Sequence, residues 1–296
     1  MSHRTERHTE SSAAELFRLV VGRLAADWRR ERPSLAGSDA EAVHRMRVNL
    51  RKARNALKLF APLLPAGLYR SANRRLRAIA RRFDATRDLD VLRGEILPRL
   101  YEHIGNSNSH PVRMLQKRID AAAIEARGLE PAGRPARRAI GPSVVAFDEL
   151  MVEITGVAQR LGETRPSRPR GRKFLRRRLD ALAGRAQRRL RKARKNDRPA
   201  LHRLRIALKQ LRDASALVQD FLPRRRRTDL ALLQRATAAL GELQDFERAR
   251  VILTGLLRED HRLAETITLA VLQLEAWHRA AAPRALRCAR RAIRAR

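Results

Sequence analysis

The chain has 296 residues, with 66 Lys and Arg against 31 Asp and Glu, and a formal net charge of +35. That imbalance excludes an electrostatically indifferent surface and points to a polyanionic partner: nucleic acid, polyphosphate or an anionic membrane. Hydrophobic residues at 44% exclude a disordered chain, and the length allows one large or two medium domains around a buried core.

Aromatics make up only 4%, so that core must be built from Leu, Ala, Val and Ile. Seven of the 66 cations are Lys. Guanidinium grips phosphate bidentately, so the excess of Arg fits a phosphate binder, and an Arg-biased composition accounts for it equally well. Cys288 stands alone, which excludes an intramolecular disulfide and suits a reducing cytoplasm. The first twelve residues are polar and contain no apolar stretch of a signal peptide. No run of apolar residues is long enough to predict a transmembrane span.

Residues 11–32 predict the first helix, with Leu16, Leu19, Val20, Leu24 and Trp28 inward. Pro33 and Gly37 break it, and the capping box Ser38-Asp39-Ala40-Glu41 opens the next. In that second helix Val43, Met46, Leu50, Ala53, Leu57 and Leu64 form an apolar stripe. Beside it His44, Arg47, Arg51, Arg54 and Lys58 recur at i, i+3, i+7, i+10 and i+14, within an arc of roughly 80°. Lys52 adds to the positive charge of the stretch. Such a row repels itself by a few tenths of a kcal/mol per neighbouring pair, and it suits an extended polyanion lying along it. A solvated face is the simplest reading of any single row of this kind.

The helix should stop at Pro65-Ala66-Gly67, and residues 68–83 form the next one. Here Arg70, Arg74, Arg77 and Arg81 make a second basic row, which antiparallel packing would lay beside the first to form a groove. Residues 84–90 predict a bend or local break, in which Asp88 caps residues 89–104 or neutralises an Arg, and Arg87 contacts phosphate. Residues 105–109 are a loop, followed by a helix to about Arg127. His103 and His110 lack accompanying carboxylates or Cys, so no metal site is expected there. Residues 129–142, with Pro131, Pro135 and Pro142, read as a linker, and residues 143–161 as a helix.

Pro166 and Pro169 mark a boundary between residues 1–165 and 166–296. Residues 173–195 predict a very basic helix, with Arg185, Arg188, Lys192 and Lys195 at the same spacing. Asn196-Asp197-Arg198-Pro199 opens the following helix. Residues 224–227 are a basic loop, residues 228–240, 243–257 and 261–282 are helices, and the tail from Pro283 is expected to be helical, strongly basic and mobile. His261 and His278 read as surface or helix-end residues.

The decisive feature is a repeat. Residues 201–223, LHRLRIALKQLRDASALVQDFLP, align without a gap on residues 43–65. His202, Arg205, Lys209 and Arg212 fall on His44, Arg47, Arg51 and Arg54, and Leu222-Pro223 falls on Leu64-Pro65. Further on, with one residue's adjustment, Leu240-Gly241-Glu242-Leu243-Gln244-Asp245 matches Phe83-Asp84-Ala85-Thr86-Arg87-Asp88. One repeat covers about half the chain, far longer than a solenoid unit, so a duplicated domain is expected. Two copies of one basic row are not expected of a random charged surface.

At these residues the sequence resembles the CHAD family, the conserved-histidine α-helical domains. The resemblance rests on His44-Arg-Met-Arg47 with Arg51, Lys52 and Arg54, on His202-Arg-Leu-Arg205 with Lys209 and Arg212, and on the later turns at Arg87-Asp88-Leu-Asp90 and Leu240-Gly241 to Asp245. Phe83-Asp84 stands where Leu-Gly is usual, and Gln244 where the first half has Arg87. The resemblance implies an all-α protein of two pseudo-symmetric helical bundles that binds inorganic polyphosphate without catalysis, targeted to polyphosphate granules. The polyphosphate-binding residues would then be the two signature rows, to which the second basic row and the turn read above add Arg74, Arg77, Arg81 and Arg87.

His44 and His202 call for one explanation. Neighbouring cations disfavour imidazolium and a bound phosphate chain favours it, so the ligand could recruit each ring as a donor. Equally, each could be a neutral His hydrogen-bonded to an adjacent helix. An enzyme is not expected: no Walker loop, zinc spacing or Gly-x-Ser-x-Gly elbow occurs, and no cofactor is implied. The alternative from another class is a non-specific nucleic-acid-binding protein. Scarce aromatics argue against single strands, and no recognition helix or arm identifies a duplex reader.

Overall fold

The computed structural model describes residues 11–35, 40–82, 84–104, 110–126, 141–163, 170–195, 197–223, 227–259 and 261–295. The expected Ser38-Asp39 cap, the loop at 105–109, and most of the linker, the inter-half boundary and the basic loop at 224–227 lie outside them. Among the described residues the chain is all-α, with one isolated bridge between Ser12 and Arg170 in place of any sheet.

The helices are α1 Ala13–Glu31, α2 Ala40–Phe60, α3 Ala66–Arg81, α4 Asp84–Val91, α5 Leu97–Ile104, α6 His110–Ala126, α7 Gly141–Glu163, α8 Gly171–Lys192, α9 Arg198–Val218, α10 Leu230–Glu259 and α11 Ala264–Arg294. Three apolar clusters hold them. The first joins α1, α2, α3 and α7 to Phe174, Leu175 and Leu179 of α8 and to Ala214 and Val218 of α9. The second joins the remainder of α8 and α9 to Leu233–Leu243 of α10 and to Ala282, Ala285, Leu286, Ala289 and Ala292 of α11. The third packs Val91, Leu97, Leu100, Leu115 and Ile119 against Phe246, Leu253, Ile267 and Leu274. The first and third clusters therefore carry side chains from both sides of residues 163–171, while the second is built from residues beyond 171 alone.

Local signals explain most helix ends. Ser12 and Glu15 form a reciprocal capping box at the start of α1. Asp197 caps α9 by accepting from the Ala200 amide at 2.8 Å, with Pro199 in the first turn, as expected. Both signature helices end in a short 3-10 turn, Ala61–Leu63 and Gln219–Phe221, each closed by a 3.1 Å bond from the following Leu amide. The two aligned stretches thus fold alike down to their final turn.

Four expectations need correction. Residues 84–90 are helical, and the irregularity lies later, in a π turn at Leu92–Ile96. Pro98 has no N–H to donate, and the Leu97 amide reaches Leu92 O instead, which shifts the ladder by one residue. There is no break at Gly241: α10 runs straight through it. Leu233, Ala236, Leu240 and Leu243 form one buried stripe against α9 and α11, which outweighs the roughly 1 kcal/mol helix cost of a glycine. The tail beyond Pro283 is not a mobile appendage, since its Ala and Leu residues complete the second cluster. His278 is buried at 5% exposure in mid-helix, where burial and then Arg198 lower its pKa.

Candidate functional site: a basic cleft between the signature helices

The apolar stripes of α2 and α9 enter the first and second clusters and turn the flanking basic rows toward each other. The helices meet at Asp213, whose Oδ2 accepts from Asn55 Nδ2 at 3.0 Å and lies 3.7 Å from Arg51 Nε. Beside this contact opens a cleft of about 250 Å³. Six cations line it, Arg47, Arg51, Arg54 and Lys58 from α2 and Arg205 and Lys209 from α9. Asp213 is the one carboxylate among the lining residues.

Close packing of like charges leaves a signature on the cations. Burial lowers the pKa of Arg51 and Arg205, and partly buried neighbours of both signs modify it: Asp213 opposes the shift at Arg51, and Asp245 opposes it at Arg205. Lys209 is pushed down to about 8, by burial first and then by Arg51 and Arg205. Lys58 is lowered by burial and then by Arg54, Arg77 and Arg185, so α3 and α8 extend the positive field at that end. Arg178 of α8 donates from Nε to Leu59 O at 2.9 Å and from Nη2 to Lys58 O at 2.8 Å, which fixes the C-terminal end of α2 with a cation where the helix dipole is negative. At the other end Arg205 reaches over α10 at Gly241, with its buried Nε making no hydrogen bond among the described residues. Asp88 of α4 pairs with Arg248 of α10 nearby, the second of the two roles expected for it.

The structure separates the predicted residues into groups. Arg47, Arg51, Arg54, Arg205 and Lys209 converge on the cleft. His44 is exposed at the start of α2 and does not line it. Lys52 does not line the cleft but stands 3.7 Å from Asp27 in an adjoining cavity of about 330 Å³ with Arg23 and Asp220, which shares Arg51, Asn55 and Asp213 with the cleft. Arg212 turns inward, giving Nε and Nη2 to Asp213 at 2.9 and 2.6 Å and Nη1 to Thr237 at 2.9 Å. Arg74, Arg77 and Arg81 are exposed on α3, and of these Arg77 is the one felt by Lys58. Arg87 belongs to α4, and its side chain lies outside the described residues.

His202 is half-buried and its Nδ1 bonds Gln244 Oε1 on α10, which is the helix-pairing role. A carbonyl oxygen only accepts, so Nδ1 carries the proton and Nε2 is the remaining nitrogen. Gln244 is the residue that the sequence alignment places opposite Arg87. Sequence reasoning missed Asp213 and Asn55, although Arg205, Lys209 and Asp213 share one face at i, i+4 and i+8. It also missed Arg178, for which no local signal exists. Among the described residues no group of three or more His, Cys, Asp or Glu is placed to hold a metal ion, and no helix is long and apolar enough to cross a membrane.

Comparison with known proteins agrees with this architecture. The sequence profile of the CHAD domain matches residues 20–254. Among solved structures, the crystal structure of the CHAD domain from the plant Ricinus communis superposes with a TM-score of 0.73 at 23% identity, covering 97% of this chain and 93% of that one. PptA from Streptomyces chartreusis superposes with a TM-score of 0.68 at 17% identity, covering 95% of this chain and 99% of that one. No curated protein sequence matches.

Proposed function

The chain belongs to the CHAD domain family, and from that premise we propose that it binds inorganic polyphosphate in the cleft between α2 and α9, without catalysing its turnover. The observation that carries the reading is the convergence of both signature rows: Arg47, Arg51 and Arg54 face Arg205 and Lys209 across one cavity. Polyphosphate is a flexible chain with a charge on every unit and no bases. A row of guanidinium forks at helical spacing can hold successive units through charge-assisted hydrogen bonds. Beside Lys58 at the end of the cleft, Arg77 and Arg185 continue the positive field outward, so a long chain engages more cations than a short one. The one lining carboxylate is engaged with Arg51, Arg212 and Asn55, which suits a binding cleft more than one built for attack on the ligand. In the cell this binding would recruit the protein to cytoplasmic polyphosphate granules.

Competition tests the reading. Long polyphosphate should displace labelled DNA and RNA at matched phosphate and salt, while nucleic acid should displace polyphosphate poorly. Equal displacement in both directions would favour a general polyanion or nucleic-acid binder instead.

A further inference from the structure

We propose that Asp213 is a resident counter-anion at the centre of the cleft, which competes with phosphate for the surrounding cations and so limits how tightly a chain is held. The inference rests on the polyphosphate reading of the cleft. The Asp213 side chain is 13% exposed and stands where α2 and α9 touch. Oδ2 takes the Asn55 amide at 3.0 Å and faces Arg51 at 3.7 Å, while Oδ1 takes Arg212 at 2.9 and 2.6 Å. Its charge also favours the charged forms of Arg51 and Lys209. One carboxylate is thus shared by cations of both signature helices.

Such a group can either aim the cations at the ligand or occupy the charge the ligand would use. The geometry points to the second. The short bonds of Asp213 go to Arg212, which does not line the cleft, and to Asn55. Arg51, which does line it, sits beyond hydrogen-bond distance, held by charge and not by direction. Pairing of the helices does not need the charge either, because an amide oxygen at position 213 could accept from Asn55 equally well. The position that aligns with Asp213 in the first half is Asn55 itself, an amide. What the negative charge adds is therefore repulsion of an incoming anion and compensation of the cleft while it is empty.

The test uses the full chain and a long inorganic polyphosphate of defined length, with affinity measured over a salt series. Asp213→Asn should bind roughly tenfold tighter, as expected for one freed charge-assisted contact. Its plot of log affinity against log salt should steepen by about one phosphate contact, because one more cation releases a counterion. Asn55→Asp should bind more weakly than wild type. The exchange variant Asn55→Asp with Asp213→Asn, which moves the charge to the facing helix, should return to within about threefold of wild type. Weaker or unchanged binding by a folded Asp213→Asn overturns the proposal and leaves the polyphosphate reading standing. If that variant does not fold, equal or tighter binding by Asn55→Asp overturns it in the same way. A wild-type protein that binds no polyphosphate overturns both.

Discussion

Asn55 Nδ2 donates to Asp213 Oδ2 at 3.0 Å, and the two residues are 158 positions apart. The same offset separates His44 from His202, Arg47 from Arg205 and Arg51 from Lys209. It also relates the 3-10 turns that end the two signature helices, Ala61–Leu63 and Gln219–Phe221. Near a twofold axis a residue meets its own counterpart, as in an isologous interface. Asn55 against Asp213, with Arg51 close to Lys209, is the contact expected of such an axis between α2 and α9. Residues of both rows read in the sequence thus line one cleft, Arg47, Arg51 and Arg54 from α2 and Arg205 and Lys209 from α9.

The first prediction separates this cleft from bulk charge. Replacing Arg47, Arg51, Arg205 and Lys209 by Ala should weaken polyphosphate binding by more than a thousandfold, at about 1–2 kcal/mol per lost charge-assisted contact. Replacing Arg287, Arg290, Arg291 and Arg294 of α11 removes the same formal charge and should cost less than about tenfold. Both variants need unchanged helicity and melting, since Arg stems also pack. Equal affinities for the two would remove the cleft as the binding site.

Salt gives the second prediction. Binding through phosphate contacts releases counterions, so affinity should fall steeply and linearly on a log–log plot. Short nucleotides, which reach only part of the cleft, should show a shallower slope than long polyphosphate. An affinity insensitive to salt would show that ion release does not drive binding.

A third prediction follows from Lys209, whose pKa burial and then Arg51 and Arg205 hold at about 8 against an ordinary 10.5. Between those values the unfolded chain binds more protons than the folded one, so this group's contribution to stability rises with pH across the window. Polyphosphate acts in the opposite sense by favouring the ammonium. Binding should therefore take up protons at about pH 9 and lose affinity as pH rises through 8, with little uptake by this group at about pH 7. Calorimetry in two buffers of different ionisation enthalpy measures the uptake, and Lys209→Met should abolish the Lys209 part of it.

The fourth concerns two glycines that only the packing distinguishes. A Cβ at Gly171 would stand 2.5 Å from Leu16 Cδ1 and 2.6 Å from the Ser11 carbonyl oxygen, where α8 starts against the capped end of α1. Gly171→Ala should destabilise the protein by about 1–3 kcal/mol. A Cβ at Gly241 would meet Arg205 Nε at an ordinary 3.7 Å. Gly241→Ala should leave stability unchanged or raise it by up to about 1 kcal/mol, as expected within a helix. Urea unfolding of the two variants provides the comparison.

The class of structure and the ingredients of the site are legible in the residue order alone. Heptad-like apolar spacing in Met46, Leu50, Ala53 and Leu57 dictates a helix with one buried face, and the fixed rotation per residue puts Arg47, Arg51 and Arg54 on a flank of it. The gapless repeat shows that the chain carries this device twice. Which of these cations meet at one site is set by how the helices pack. Lys52 is next to Arg51 in sequence yet turns to Asp27 and leaves the cleft that Arg51 lines, and Arg212 completes the second row yet folds back onto Asp213 and Thr237. Helical periodicity specifies angles about one axis and says nothing about how two axes cross. The distances from Arg51 and Asn55 to Asp213, the reach of Arg178 onto the end of α2, and the passage of α10 unbroken through Gly241 all depend on that crossing.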